Sequence, residues 1–328
     1  MPVSPVKEIF QEGTIVEIKK LAISSSPHLH SGVTVRQAMW LVVLALAPAA
    51  LFAVFHFGWY VVAILVTGVL AAVLGEVAIL HFQKKPLTVV QDGSAALTGL
   101  LLALNVPAGA PLWMVAIGSV LAIAIGKHVF GGLGYNPFNP ALVGRAILVS
   151  SWPARMTAWV GPDLVSSATP LALLRAGEAL PAYSDMLLGF KAGSIGEVAV
   201  LLLLVGGVFL IYKKIIDWKI PFFYIATVAF LTWALPARGQ VGYFSGDPLF
   251  HVLSGGLMLG AFFMATDWVT TPVTKLGRVI MGLGAGIITA VIRLYGGLPE
   301  GVTYAILIMN GLTPLIDRYT MGRRFGVR

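Results

Sequence analysis

The sequence contains no cysteine and little charge. Without cysteine there are no disulfides, no thiolate-bound iron–sulfur clusters and no cysteine zinc sites. Any redox role must then use a borrowed group such as a flavin, haem or quinone. Charged residues make up 11% of the 328 residues and hydrophobic ones 58%, whereas a soluble domain carries about 25% charged residues. With a mean hydropathy of +0.89, most of the chain must be solvated by lipid. A secretory signal is lacking too. The first 35 residues include Glu8, Glu12 and Glu17 and have no basic start or cleavage pattern. They read as a cytoplasmic tail with an amphipathic stretch around Ile15 to Ile23. The formal net charge of +8 points to cytoplasmic loops of a membrane protein, not to nucleic acid.

Apolar runs lie near 37–55, 59–82, 112–130, 195–212, 219–236, 249–266, 277–294 and 300–316, with shorter ones near 94–105 and 140–152. A crossing needs about 20 apolar residues, so the expected fold is all-α and membrane-integral with about ten spans. With a cytoplasmic N-terminus, sixteen of the 22 basic residues fall in cytoplasmic segments and five outside, with Arg145 inside a span. That bias places both termini in the cytoplasm.

The two halves echo each other. Residues 98–108 and 259–269 are both small-residue helices that run into a polar, proline-marked break. Two inverted five-helix repeats follow, an arrangement that puts binding sites near the midplane. The expected organisation is a tail over 1–35, a first repeat over 36–152, an outer loop over 153–194, a second repeat over 195–317 and a cytoplasmic tail over 318–328.

Tyr135-Asn136-Pro137-Phe138-Asn139-Pro140 frees backbone groups that protein or ligand must satisfy. It reads either as a ligand-binding break, with Asn136 and Asn139 facing a heterocycle edge, or as a cytoplasmic turn with an Asn cap. Arg145 is an intramembrane charge and a candidate for a phosphate or buried carboxylate. Asp267, Glu76 and Asp317 are the acids to test for an ion path. The six histidines are scattered without ligand spacing, so neither metal nor haem is expected. In Gly131-Gly132-Leu133-Gly134 no strand precedes the glycines, which excludes a dinucleotide fingerprint. Thr169 taken alone is an N-cap.

Several stretches resemble a known family. They are Asp92 to Leu101, Gly134 to Leu142, Ser167-Ala168-Thr169-Pro170-Leu171-Ala172, Gly193-Ser194-Ile195-Gly196-Glu197 and Phe263-Met264-Ala265-Thr266-Asp267. In this order they resemble the NqrB/RnfD family: RnfD of the Rnf ion-translocating ferredoxin:NAD oxidoreductase and its quinone-reducing relative in the sodium-pumping NADH dehydrogenase. The resemblance implies an electron-transfer component of a translocase that is not catalytic alone. It implies FMN joined through a phosphoester to Thr169, with Ser167 and Ala168 completing the motif; Ser167 stands where glycine is usual. Thr169 is expected to expose its hydroxyl on the outer face. There Arg145, Arg155, Arg175 or Lys191 would neutralise the phosphodiester, and Trp152 and Trp159 would sandwich the ring. A second, non-covalent riboflavin is implied within the bundle, with Asn136, Asn139 and Thr98 as its candidate holders. Implied partners are the RnfG flavoprotein, the membrane proteins RnfA and RnfE, and RnfB and RnfC on the cytoplasmic side. The short N-terminal tail favours the ferredoxin:NAD enzyme over the NqrB-type one. A urea- or ammonium-channel-like transporter is the reading from a different class.

Overall fold

The computed structural model describes residues 33–161, 167–236, 242–297 and 300–322. The expected N-terminal tail with its amphipathic stretch, Asp163 to Ser166 of the outer loop, Arg238 and the last six residues lie outside the described residues. Regular structure among the described residues is helical, with no strand and one isolated bridge, Pro107 to Ser194.

Two long helices open the bundle, α1 (Val35–Phe57) and α2 (Tyr60–Phe82). Each has 23 residues, which is about 35 Å and enough for a hydrocarbon core of about 30 Å. Next come α3 (Ser94–Leu104), α4 (Leu112–Ile123) with a π-helical extension Ala124–His128, and α5 (Pro140–Ser151). The segment after α5 carries α6 (Pro170–Ala176) and a short helix Tyr183–Leu188. Then follow α7 (Val200–Tyr212), α8 (Lys219–Ala234), α9 (Pro248–Leu253), a π turn Gly260–Met264, α10 (Lys275–Tyr295) and α11 (Val302–Thr320). Three of these, α1, α2 and α10, are long and apolar enough to cross a membrane, and α3, α4 with its extension, α5, α7 and α8 are shorter apolar helices. The outer surface is apolar: Phe55, Trp59 and Phe82 are more than four-fifths exposed. In water that surface would aggregate; in lipid it is solvated.

At 11 residues, α3 is about 16 Å long, about half the hydrocarbon core. It stops at Asn105, whose side-chain amide donates to the Leu101 carbonyl at 2.7 Å. The chain beyond is not helical, yet its polar groups are met. The amides of Gly196 and Ile195 donate to the carbonyls of Leu104 and Val106 at 2.7 and 3.1 Å. This pairing delays α7 to Val200, so the expected span 195–212 begins with a buried turn. The expected span 249–266 is likewise interrupted at Ser254–Gly256. The Arg293 guanidinium donates there to the carbonyls of His251 and Ser254 at 2.5 and 2.9 Å, and the Lys191 ammonium donates to the Leu253 carbonyl. Non-helical backbone inside a membrane protein persists only where protein satisfies it.

Glycine sets the helix contacts. A Cβ at Gly99 of α3 would stand 2.3 Å from the Gly68 carbonyl oxygen of α2. A Cβ at Gly286 of α10 would stand 2.5 Å from Cβ of Thr227 on α8. Lipid offers no hydrophobic drive between helices, so this close approach is how the bundle gains its packing energy.

Candidate functional site

Two regions gather the residues of interest. The first is a pocket between α1, α3, the end of α4, the start of α5, α7 and the Gly260–Met264 turn. Its polar wall is Ser94, Thr98, Lys127, Asn136, Asn139 and Asp267; its apolar wall includes Leu97, Leu101, Phe262, Phe263 and Trp268. Its cavity volume is about 70 Å³. A three-ring heterocycle therefore enters only when the larger side chains turn aside.

The two asparagines serve differently. Asn139 caps α5: its side-chain oxygen accepts from the amides of Ala141 and Leu142 at 3.0 and 3.3 Å, and its side-chain nitrogen donates to the Met264 carbonyl at 3.3 Å. Its amide is spent on the bundle, so it shapes the wall. Asn136 is buried and donates to the Phe138 carbonyl at 3.1 Å, while its Oδ1 has no partner. A buried acceptor without a donor costs about 1–3 kcal/mol, and a ligand N–H would satisfy it. Thr98 donates its hydroxyl to the Ser94 carbonyl at 2.9 Å, which leaves its oxygen able to accept.

Lys127 belongs to this wall, though its position near a span end made it count only as a loop cation. It is 1% exposed. Its ammonium pairs with Glu76 and donates to the Ser94 hydroxyl at 2.6 Å; His128 reaches the same Glu76 oxygen at 3.2 Å. Of the three acids, Asp267 lines the pocket and Glu76 touches it through Lys127. Asp317 stands apart, accepting from the Val273 amide at 3.0 Å. No group of three or more His, Cys, Asp or Glu suited to a metal is present among the described residues.

The second region surrounds Thr169. This threonine is the N-cap of α6: its Oγ1 accepts from the Ala172 amide at 3.3 Å, with Pro170 in the first helical position. It is 2% exposed, a correction to the expectation of an open hydroxyl. Capping turns the oxygen back toward its own helix, and Ser167 and Ala168 take the exposed side. The Ser167 amide donates to the Trp159 carbonyl at 3.1 Å, which ties the threonine segment to a narrow cleft of about 50 Å³ lined by Trp159, Thr157, Val149, Arg145, Glu300 and Tyr304. A ring would stack on Trp159 there only when the side chains lining this cleft part, and Glu300 brings a buried Oε1 without a partner. Trp152 does not join it; its ring packs edge-on to Trp113 at 5.3 Å.

The expected phosphate-neutralising cations are otherwise engaged. Arg145 gives its terminal nitrogens to Asn105 and Glu300 at 2.5 and 2.6 Å. Arg155 stands 5.8 Å from the Trp113 ring centroid. Arg175 donates to the carbonyls of Gly297, Ile292 and Arg293, and Lys191 to that of Leu253. Arg145 is therefore the buried counter-charge of Glu300. Glu197, from the Gly193–Glu197 motif, accepts from the amide and hydroxyl of Ser194 at 3.2 Å and keeps Oε1 unpaired.

The chain has close counterparts among known proteins. A profile described as the NQR2, RnfD, RnfE family matches residues 22–326. The D component of the proton-translocating ferredoxin:NAD(+) oxidoreductase complex of Clostridium ljungdahlii is 51% identical over 95% of this chain and 98% of its own length. Its Na(+)-translocating counterpart from Acetobacterium woodii is 48% identical over 94% of this chain and 96% of its own. The D component of the ion-translocating oxidoreductase complex of Erwinia tasmaniensis is 39% identical over 93% and 98%.

Proposed function

Because this chain belongs to the NQR2, RnfD, RnfE family, we propose that it is the RnfD-type component of an ion-translocating ferredoxin:NAD+ oxidoreductase and relays electrons through flavins. The observation that carries this is the 51% identity to the Clostridium ljungdahlii D component along 95% of the chain. The relatives named above belong to ferredoxin:NAD or ion-translocating oxidoreductase complexes, which favours that role over the quinone-reducing one.

The chain's own residues have definable tasks. Thr169 offers the phosphoester oxygen for FMN, and the Trp159 cleft beside it offers a stacking face and the free Glu300 oxygen. The orphaned Asn136 Oδ1, the Thr98 oxygen and the Lys127 ammonium offer an acceptor, an acceptor and a donor to a second flavin such as riboflavin. Flavins supply one- and two-electron transfer when bound. The protein orients them, keeps water out with Phe262, Phe263 and Trp268, and holds the charge of Lys127 in place through Glu76. Asp267 and Glu76 flank this pocket as acids for an ion path.

Ten crossings in two inverted five-helix repeats complete the reading. Parallel packing in the two halves supports it: α2 lies on α4 and α4 on α5, as α8 lies on α10 and α10 on α11. The charge count supports cytoplasmic termini, and the family resemblance implies the inner membrane, the RnfG protein outside, RnfA and RnfE alongside, and RnfB and RnfC inside.

The test is genetic and biochemical. Membrane vesicles lacking this chain should lose ferredoxin-dependent NAD+ reduction, and the chain supplied in trans should restore it. Unchanged NAD+ reduction in its absence would refute the assignment.

A further inference from the structure

The α7–α8 turn and the segment from Thr266 to Arg278 enclose a cleft of about 930 Å³. Four cations line it, Lys214, Lys219, Lys275 and Arg278, against one acid, Asp217. Asp217 is already shared, 2.7 Å from Arg278 and 3.4 Å from Lys219. Burial alone would raise its pKa, but the Lys219 amide and the Arg278 guanidinium hold its carboxyl below the usual range. Lys214 and Lys275 are exposed and make no ion pair among the described residues. The cleft is therefore strongly positive with two free ammonium groups.

At Ile211 and Trp218 the cleft passes into an apolar groove of about 430 Å³. Val208, Pro221, Phe222 and Ile225 line it on the outer faces of α7 and α8, and Val208 and Phe222 are more than half exposed. Trp218 stands at the junction, half exposed, with the Lys219 ammonium 5.2 Å from its ring centroid. Tryptophan at such a boundary marks the headgroup level of a bilayer.

We propose that cleft and groove together form a site for one anionic phospholipid, its phosphate among Lys214, Lys275 and Arg278 and an acyl chain along Pro221, Phe222 and Ile225. The order of chemistry, positive chamber and then apolar channel, matches that ligand end to end, and basic pockets at helix ends on the cytoplasmic side bind anionic headgroups. A neutral lipid or a quinone fills the groove and leaves the cations unmatched. A free phosphate matches the cations and leaves the groove bare. The cleft shares Ile215, Ile216, Thr266 and Trp268 with the pocket of Asn136 and Lys127. A seated headgroup thus stands against the wall of that pocket and shields it from water. The site itself does not depend on which ligand the pocket takes.

The test uses the intact complex in phosphatidylcholine nanodiscs doped with a phosphatidylglycerol whose acyl chain carries a diazirine. Irradiation should place adducts on residues 208–226. Labelled phosphatidylcholine at the same dose should give few. Lys214→Gln/Lys275→Gln should cut the phosphatidylglycerol adducts by about tenfold, and Lys214→Arg/Lys275→Arg should retain them, which separates charge from misfolding. Equal labelling by both lipids, undiminished labelling in the glutamine variant, or adducts confined to other segments would overturn the proposal. Binding of inorganic phosphate to the complex without adducts in the groove would assign the cations to a free anion and also overturn it.

Discussion

The Asn310 side-chain oxygen accepts the backbone N–H of Asn139 at 3.2 Å, while its amide donates to the Thr270 carbonyl at 3.3 Å. One buried side chain thus joins the start of α5 to the break before α10. Asn310→Ala should orphan the Asn139 amide and cost about 1–3 kcal/mol. The check is thermal aggregation of the detergent-solubilised complex, which should begin at a lower temperature in the variant. An unchanged onset would mean that the two breaks hold without this residue.

Lys127 and Glu76 form a buried ion pair. Lys127→Met should strand the Glu76 charge and destabilise the protein by about 3–5 kcal/mol, whereas the double change Lys127→Met/Glu76→Gln should recover most of the loss. Yield of folded protein, measured by fluorescence-detected gel filtration, distinguishes the cases. A double variant no better than the single one would show that the lysine acts through another partner.

Asn136→Ala should lower the content of non-covalent flavin in the purified complex and leave flavin bound to Thr169 untouched. The reason is its unpaired Oδ1 in the pocket wall. Asn139→Ala removes a helix cap as well, so it should lower stability by about 1 kcal/mol besides any loss of flavin. Acid extraction of flavin, followed by chromatography, reads the first effect; equal riboflavin in wild type and Asn136→Ala would remove that residue from the site.

Asp267 lines the same pocket and accepts only long contacts, 3.5 Å each, from the Val269 amide and the Thr270 hydroxyl. A carboxylate held so loosely is suited to exchanging a proton or cation. Asp267→Asn should depress ion uptake by inverted vesicles while uncoupled electron flow from ferredoxin to NAD+ persists. Ion uptake equal to wild type would exclude it.

Much of this fold was legible in the sequence because hydropathy registers a lipid-facing helix directly. Spans such as 37–55 and 59–82 match α1 and α2 to within a few residues. The interruption at Ser254–Gly256 escaped that reading, since the donor that stabilises it is Arg293, 39 residues beyond Ser254. The delayed start of α7 depends in the same way on carbonyls of Leu104 and Val106. At the site, the Asn136–Asn139 break announced itself through its prolines. Lys127 did not, because a lysine near a span end is indistinguishable by composition from one in a loop, and only burial beside Glu76 reveals it. The buried hydroxyl of Thr169 was hidden for a related reason: a capping oxygen faces its own helix whatever the polarity of the loop around it.

The central claim is that Thr169 tethers a flavin outside the membrane while the bundle relays its electrons. Mass spectrometry of the peptide containing Thr169, from the complex made with its own flavin-attaching enzyme, tests this most directly. The account predicts an added FMN on that peptide in the wild type and in Thr169→Ser, and none in Thr169→Ala. A wild-type peptide of unmodified mass, from a complex that still reduces NAD+ with ferredoxin, would contradict it.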